Sequence, residues 1–149
     1  MIKTSKAFTS LIACFGLTLF VVGFAAPQTT DENRITPSGI AAEIPEEAKL
    51  RKNPIAPDRE SIEWGGMYFS SQCTMCHGAD GRGGGDLVER LQLKIPDFTD
   101  PAMQAQWTDG ELFYVLTKGH GRMPAQKDRF NEKTKWSLVN YVRSFLSNG

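Results

Sequence analysis

Residues 73–77 read Cys-Thr-Met-Cys-His, and these two thiols and one imidazole are the part of the chain best equipped for chemistry. In a helical turn Cys73 and Cys76 lie three apart and Cys73 and His77 four apart, which brings all three side chains to roughly one face. One flat ligand can then meet all three. Two reduced thiols can add to the two vinyl groups of a porphyrin edge, while a neutral imidazole offers a nitrogen to its iron. C-x-x-C-H is the sequence signature of that covalent haem attachment. Thr74 and Met75 point elsewhere. A thioredoxin-like dithiol would need a βαβ setting, and no strand–helix alternation surrounds the motif. Zinc would need four ligands, whereas the chain holds only His120 and the distant Cys14 beyond the motif itself.

The composition agrees with a small soluble domain. The 149 residues are 40% hydrophobic and 23% charged, and Lys plus Arg equals Asp plus Glu, so the formal net charge is zero. This is one domain's worth of chain, and no basic excess points to nucleic acid. Cys14 lies in the N-terminal apolar run and Cys73 and Cys76 in the motif, so no structural disulfide is expected.

Three regions follow in order. Lys3 and Lys6 precede an apolar run over residues 7–26 that ends in small residues at Gly23, Ala25 and Ala26. A positive start, an apolar core and a small-residue end describe a secretory signal. The run also reaches the length of a membrane span, so residues 1–26 read as a cleaved signal peptide or a retained N-terminal anchor. The chain is therefore expected to be exported to the periplasm, soluble or tethered to the inner membrane. Residues 27–57 carry Pro27, Pro37, Pro45, Pro54 and Pro57 among polar residues. That density of proline reads as a flexible linker, with one short helical piece within residues 40–50.

Residues 58–149 form the expected folded domain, and its helices must position the motif. Asp58 or Ser61 can cap a helix that runs into the motif. Gly65 and Gly66 inside that helix point to a close crossing with another, since each glycine costs roughly 1 kcal/mol against alanine. The partner is expected to be the C-terminal segment, capped by Asn131 and carrying Trp136, Val139, Tyr141, Val142, Phe145 and Leu146 on a broad apolar face. Thr108-Asp109-Gly110-Glu111 is a capping box opening a helix through Leu116 that stops at Gly119. Residues 86–93 are a weaker helix ended before Pro96. No β alternation of useful length occurs, so the fold class is all-α, with three main helices and one or two short ones around a covalently bound haem. A buried porphyrin would supply the apolar centre that about 92 residues alone supply poorly.

The order Cys73–His77, Gly78, Gly81, Gly83, Gly85, then Gly119 and Met123-Pro124, then a closing apolar helix, resembles a class I cytochrome c of the bacterial periplasmic mono-haem type. The resemblance spans roughly residues 53–148. It implies one haem c, attached through Cys73 and Cys76, with iron held by His77 and, on its far side, by Met123. Pro124 disfavours helix at Met123, a thioether suits ferrous iron, and His/Met ligation raises the reduction potential. His120 is the alternative ligand on that side. Met67 and Met103 are rivals of Met123, while Met75 is disqualified by its place between the cysteines. By the same analogy a carbonyl near Pro96, or at Pro101, accepts from the second nitrogen of His77, and Trp107 and Tyr114 are candidates for haem-propionate contacts. The glycine-rich stretch from Gly81 to Gly85 completes no nucleotide fingerprint and reads as a close passage beside the porphyrin.

No paired acid and base or activated nucleophile is legible, so no catalytic residue is assigned and the expected function is single-electron transfer between periplasmic or membrane redox partners: a dehydrogenase, an oxidase or a membrane complex. Two other readings stand beside it, a haem sensor or peroxidase-like enzyme with an open distal site, and a tethered cytochrome subunit of a larger oxidoreductase. Charge is uneven along the chain. Residues 80–111 hold seven acids and three bases, whereas residues 118–135 hold six bases and two acids. The basic stretch surrounds Met123 and is expected to steer docking to an acidic partner, with association slowing as salt rises.

Overall fold

The computed structural model describes residues 43–146. The expected signal or anchor at residues 1–26 and the linker as far as residue 42 lie outside the described residues. Seven helical pieces follow one another: α1 (Glu46–Lys49), α2 (Arg59–Gln72), α3 (Thr74–His77), α4 (Leu87–Leu91), α5 (Pro101–Ala105), α6 (Asp109–Lys118) and α7 (Glu132–Ser144). Among the described residues β pairing is limited to one antiparallel bridge between His120 and Met123. The protein is all-α. Among the same residues no helix is long and apolar enough to cross a membrane.

The three long helices start where local chemistry dictates. The Asp58 carboxylate accepts from the Ser61 backbone N–H at 2.8 Å and opens α2. Thr108 and Glu111 form both halves of a capping box on α6, and Asn131 accepts from Thr134 N–H on α7. Such caps satisfy backbone donors that have no partner within the helix. One short helix, α5, escaped the sequence reading. Its signal was present: Asp100 caps it by accepting from Ala102 N–H at 2.8 Å, with Pro101 in the first turn where proline's missing donor costs nothing.

α2 and α7 cross in contact. A Cβ on Gly65 would stand 2.1 Å from the Ser137 carbonyl oxygen and 2.9 Å from Tyr141 Cβ, so only glycine lets the two backbones approach this closely. Trp136, Ser137, Leu138 and Val139 of α7 are all buried at this level of the molecule. The crossing carries α2 into the haem motif. α2 does not run through the motif as one helix, however. It ends at Gln72, Cys73 serves as cap, and the chain resumes as the single turn α3.

Three apolar clusters fill the interior. The first gathers Phe69, Phe98, Leu116, Phe130, Leu138 and Phe145, and Cys73, Met103 and Met123 pack against it. The second joins Ile44 and Ala48 to Trp107, Tyr114 and Val115. The third stacks Phe113 on Trp136 with ring centroids 4.1 Å apart, beside Val139 and Ile55.

The second and third clusters alter the expectation of a free linker. Its described part, residues 43–57, lies against α6 and α7. Ile44 and Ala48 are buried, the Thr108 hydroxyl donates to Lys49 O at 3.0 Å, and Asn53 donates to the Trp136 carbonyl at 3.2 Å and to Asn140 Oδ1 at 2.7 Å. Asn140 in turn donates to the carbonyls of Ile55 and Ala56. Arg51 lies over Phe113, 4.6 Å from the ring centroid, and pairs with Glu132. Proline forbids long helix in such a segment but does not forbid docking. Three apolar side chains, Ile44, Ala48 and Ile55, one stacked guanidinium and one asparagine pair hold it.

Candidate haem site

The thiols and imidazole of the motif are fixed by backbone bonds on both sides. Cys73 N–H donates to Phe69 O at 2.8 Å, tying the motif to the last turn of α2, and His77 N–H donates to Cys73 O at 2.9 Å. The glycine-rich stretch then folds back beneath α3. Gly83 N–H donates to His77 O at 2.8 Å and Gly85 N–H to Cys76 O at 3.3 Å, which pairs carbonyls that the end of a helix leaves free. A Cβ on Gly85 would meet Thr74 O at 2.4 Å. Gly85 is thus required by contact with the motif turn itself, whereas a Cβ on Gly83 would meet Ile95 O at 2.6 Å.

Both cysteines are free and partly buried. Burial, together with the neighbouring Cys76, pushes the Cys73 thiol up to about 11, and Arg129 opposes the shift. Burial also brings the His77 imidazole down to about 4, so at neutral pH it is uncharged and keeps a lone pair for a metal. Its Nδ1 is buried without a hydrogen-bond partner. The expected carbonyl acceptor near Pro96 or Pro101 is therefore not engaged. Instead the imidazole lies flat on Phe98, centroids 4.8 Å apart and planes 16° apart, and Phe69 meets it obliquely at 6.2 Å. Two free thiols and a neutral imidazole on one turn, bordering an aromatic cluster, form a donor set that fits a covalently attached haem.

The other sequence candidates separate clearly. Met123 and Met103 both border the cluster that Cys73 borders, while Met67 and Met75 are exposed. Met123 sits in a tight loop in which its N–H donates to His120 O at 2.8 Å and its carbonyl accepts from His120 N–H at 3.0 Å. Gln126 N–H, donating to Leu116 O at 3.1 Å, ties the loop back to α6. His120 lines a different hollow, with Glu43, Ile44, Tyr114, Val115, Lys118 and Gly119. Trp107 and Tyr114 pack in the second cluster with Ile44 and Ala48 rather than in the first, so the suggested propionate contacts find no support.

The basic stretch is less uniform than its count suggests. Lys118, Arg122, Lys127 and Lys133 are exposed. Lys135 is buried, its ammonium 5.4 Å from the Phe113 ring centroid, and Arg129 donates to Gln72 Oε1 at 2.6 Å. Sequence reading also passed over Gln104 and Arg143. Gln104 is 2% exposed and links the Phe98 and Val142 carbonyls, and Arg143 holds Gln104, Trp107 O and Asp109. Polar residues at isolated positions carry no periodic signal that would have revealed them.

A family model described as cytochrome c oxidase, cbb3-type, subunit III matches residues 60–142, more than half of the chain. The chain belongs to this family. It is a class I c-type cytochrome, an all-α haem protein of electron transfer whose cofactor is covalently bound haem c, and Cys73 and Cys76 have the spacing that attachment uses. Two curated relatives are similar to this cytochrome. The cbb3-type cytochrome c oxidase subunit FixPc of Rhizobium leguminosarum bv. viciae is 30% identical over 83 residues, covering 55% of this chain and 27% of the relative. Subunit FixP of Rhizobium meliloti (strain 1021) is 30% identical over 88 residues, covering 56% and 27%. The chain thus spans about a quarter of the length of these relatives. Among solved structures, a chain of the reducing HAO-like protein complex of Kuenenia stuttgartiensis shares the fold with a TM-score of 0.53 at 24% identity, over 62% of this chain and 46% of that one.

Proposed function

We propose that the cytochrome is a mono-haem electron carrier whose iron is held by His77 and Met123 and whose porphyrin is attached through Cys73 and Cys76. Haem c supplies a one-electron change between ferrous and ferric iron. The chain's own residues do the rest. Cys73 and Cys76 fix the cofactor's edge, His77 offers a neutral nitrogen, Met123 a soft thioether, and the cluster of Phe69, Phe98 and Phe145 keeps water from the imidazole side. With both His77 and Met123 in place the site would offer no open position to a substrate, which suits electron exchange rather than chemistry on a substrate.

One observation carries the choice of Met123. It packs against the same apolar cluster as Cys73 and the rings around His77, whereas His120 lines the hollow with Glu43 and Tyr114. Met103 shares that cluster but sits on α5, without the loop setting of a Met-Pro pair. Replacing Met123 by Ala should abolish the absorption band of the iron–thioether bond near the red end of the visible spectrum and lower the reduction potential. His120→Ala should change neither. The reverse pattern would give the ligand role to His120.

The family and the names of the two rhizobial relatives favour a second statement about context: the cytochrome works as a haem subunit beside a larger oxidoreductase, exported and held near a membrane by the segment that Lys3 and Lys6 introduce. An oxidase or dehydrogenase that copurifies with it from its own host supports that placement. Purification as a free protein with no such companion speaks for a diffusing shuttle.

A further inference from the structure

Residues 64–77 carry no lysine, arginine, aspartate or glutamate, although Trp64, Met67, Ser70, Ser71, Gln72 and Met75 are exposed. Trp64, Met67, Ser71 and Met75 follow one another at intervals of three, four and four. Cys73, between α2 and α3, keeps a right-handed helical backbone at φ −114 and ψ −27, so these residues share one face. Trp64, Met67 and Met75 are 43%, 52% and 51% exposed. The hydroxyls among them bond to their own helix: Ser70 Oγ donates to Gly66 O at 2.5 Å, Ser71 Oγ to Tyr68 O at 3.1 Å and Thr74 Oγ1 to Ser70 O at 3.0 Å. What the face offers outward is therefore mainly apolar. Leu50 and Leu91, exposed elsewhere, each stand beside a charged residue, and single apolar residues of that kind need no explanation. A stripe with no charge along it does.

One long side of the stripe is bordered by the chain that leads into α7. Trp64 Nε1 donates to Thr134 Oγ1 at 3.3 Å, the Tyr68 and Phe130 rings meet at 5.2 Å, and Gln72 Oε1 accepts from Arg129 Nη1 at 2.6 Å. Both acids of that border are paired, Asp128 with Lys127 and Glu132 with Arg51. Arg129 is exposed and bonds only the neutral Gln72 side chain, whereas Lys133 shares a hollow with Trp64, Asp58 and Glu60. The face is thus positive at the motif end and balanced at the Trp64 end. From Trp64 to Met75 it runs about 16 Å, at 1.5 Å per residue. A stable dimer of this chain would need roughly 800 Å² from each partner, more than a stripe one helix wide supplies, while transient electron-transfer pairs need less.

We infer that this face of α2 and α3 is where a redox partner docks: a protein surface whose apolar centre covers Trp64 and Met67 and whose acidic edge meets Arg129. The inference rests on the carrier reading above. It moves docking from the basic residues of the Met123 loop to the stripe, and it orients the partner with its acids toward the Cys73–His77 turn. The apolar contact sets how long the pair lasts, and Arg129 how fast it forms.

The test measures how fast membranes and periplasmic extract from the cytochrome's own host reduce or oxidise the full-chain holoprotein, followed by haem absorbance over a range of cytochrome and salt concentrations. Met67→Glu sets a carboxylate in the centre of the stripe and should raise KM roughly tenfold or more, with kcat and reduction potential unchanged. Trp64→Ala should raise KM severalfold. Leu91→Glu makes the same charge change on exposed α4 and should leave KM in place. Arg129→Gln should slow association and flatten its fall with rising salt. Ser71 replaced by benzoylphenylalanine and irradiated in the same mixture should join a redox protein through a segment that carries aspartate or glutamate. A parental KM in Met67→Glu overturns the inference, as does a larger rise in Arg122→Glu than in Met67→Glu, or a crosslink to a second copy, to lipid or to a segment without acids. A parent that ascorbate reduces but that the host fractions neither reduce nor oxidise overturns the carrier reading instead.

Discussion

The Cys73–His77 turn and the His120–Pro124 loop border one apolar cluster from two parts of the chain, and they are held very differently. The turn is tied to α2 through Cys73, closed within itself through His77, and underpinned by Gly83 and Gly85. The loop hangs on one reciprocal pair between His120 and Met123, the Gln126 side-chain amide donating to Pro124 O at 2.9 Å, and one backbone bond from Gln126 to Leu116, with Gly121 and Arg122 exposed at its tip. Local opening free energy falls where backbone bonds are few and solvent-exposed. The motif turn is therefore the stiffer of the two, and on the proposed ligation the Met123 loop is the side where a ligand would be exchanged.

The strongest way to break this contrast is to remove the platform beneath the better-held side. Gly65→Val places a branched side chain where a Cβ alone would stand 2.1 Å from Ser137 O. α2 and α7 must separate, and overpacking together with loss of the crossing should cost about 3 kcal/mol or more. Chemical denaturation of the purified holoprotein checks it. A midpoint within a few tenths of a kcal/mol of the parent would mean that the crossing tolerates a Cβ and that the close approach is not what the glycine is for.

A paired substitution sharpens the contrast more finely. Gly119 ends α6 at φ +75 and a Cβ there would lie 2.6 Å from Met123 O, so Gly119→Ala strains the loop that carries Met123. Carbon monoxide should then bind the reduced protein faster than it binds the parent, by roughly tenfold if about 1.4 kcal/mol of loop stability is lost. Gly85→Ala strains the motif turn against Thr74 O instead. It should lower stability by a similar amount and leave carbon monoxide binding unchanged. Equal effects of the two on binding would mean that both edges of the cluster open together.

Much of this architecture was legible before any coordinates. Capping residues at Asp58, Thr108 and Asn131 act within a few residues of where they stand, and C-x-x-C-H brings its three groups to one turn by spacing alone. The glycines at the helix crossing announced a close contact because glycine inside a helix has a known cost. What was not legible depends on contacts across the chain. Gln104 is one polar residue among many until its amide is seen between Phe98 O and Val142 O, and the stack of His77 on Phe98 joins residues 21 positions apart. The docked segment before Asp58 was hidden for a related reason. Ile44, Ala48 and Arg51 are too few to show a period, and proline density argued for a loose chain, yet each finds a complementary surface on α6 or α7.

That segment offers the smallest of the expected effects and separates a strap from a linker. A chain beginning at Asp58 lacks Ile44, Ala48, Arg51 and Asn53, and it leaves Trp107, Tyr114 and Val115 uncovered. Burying one isoleucine is worth about 1.5–3 kcal/mol, and a stacked guanidinium about 0.5–1 kcal/mol. The entropy of ordering the segment opposes these contacts, so removing it should cost only about 1–2 kcal/mol, well below the effect of Gly65→Val. A chain beginning at Glu43 keeps all four and is the reference. Because the segment touches the second and third clusters and not the first, the iron–thioether band should survive its removal at low temperature. Loss of that band together with the segment would show that α6 transmits the docking of residues 43–57 to the Met123 loop. Denaturation midpoints identical for both truncations would return the segment to the status of a free tether.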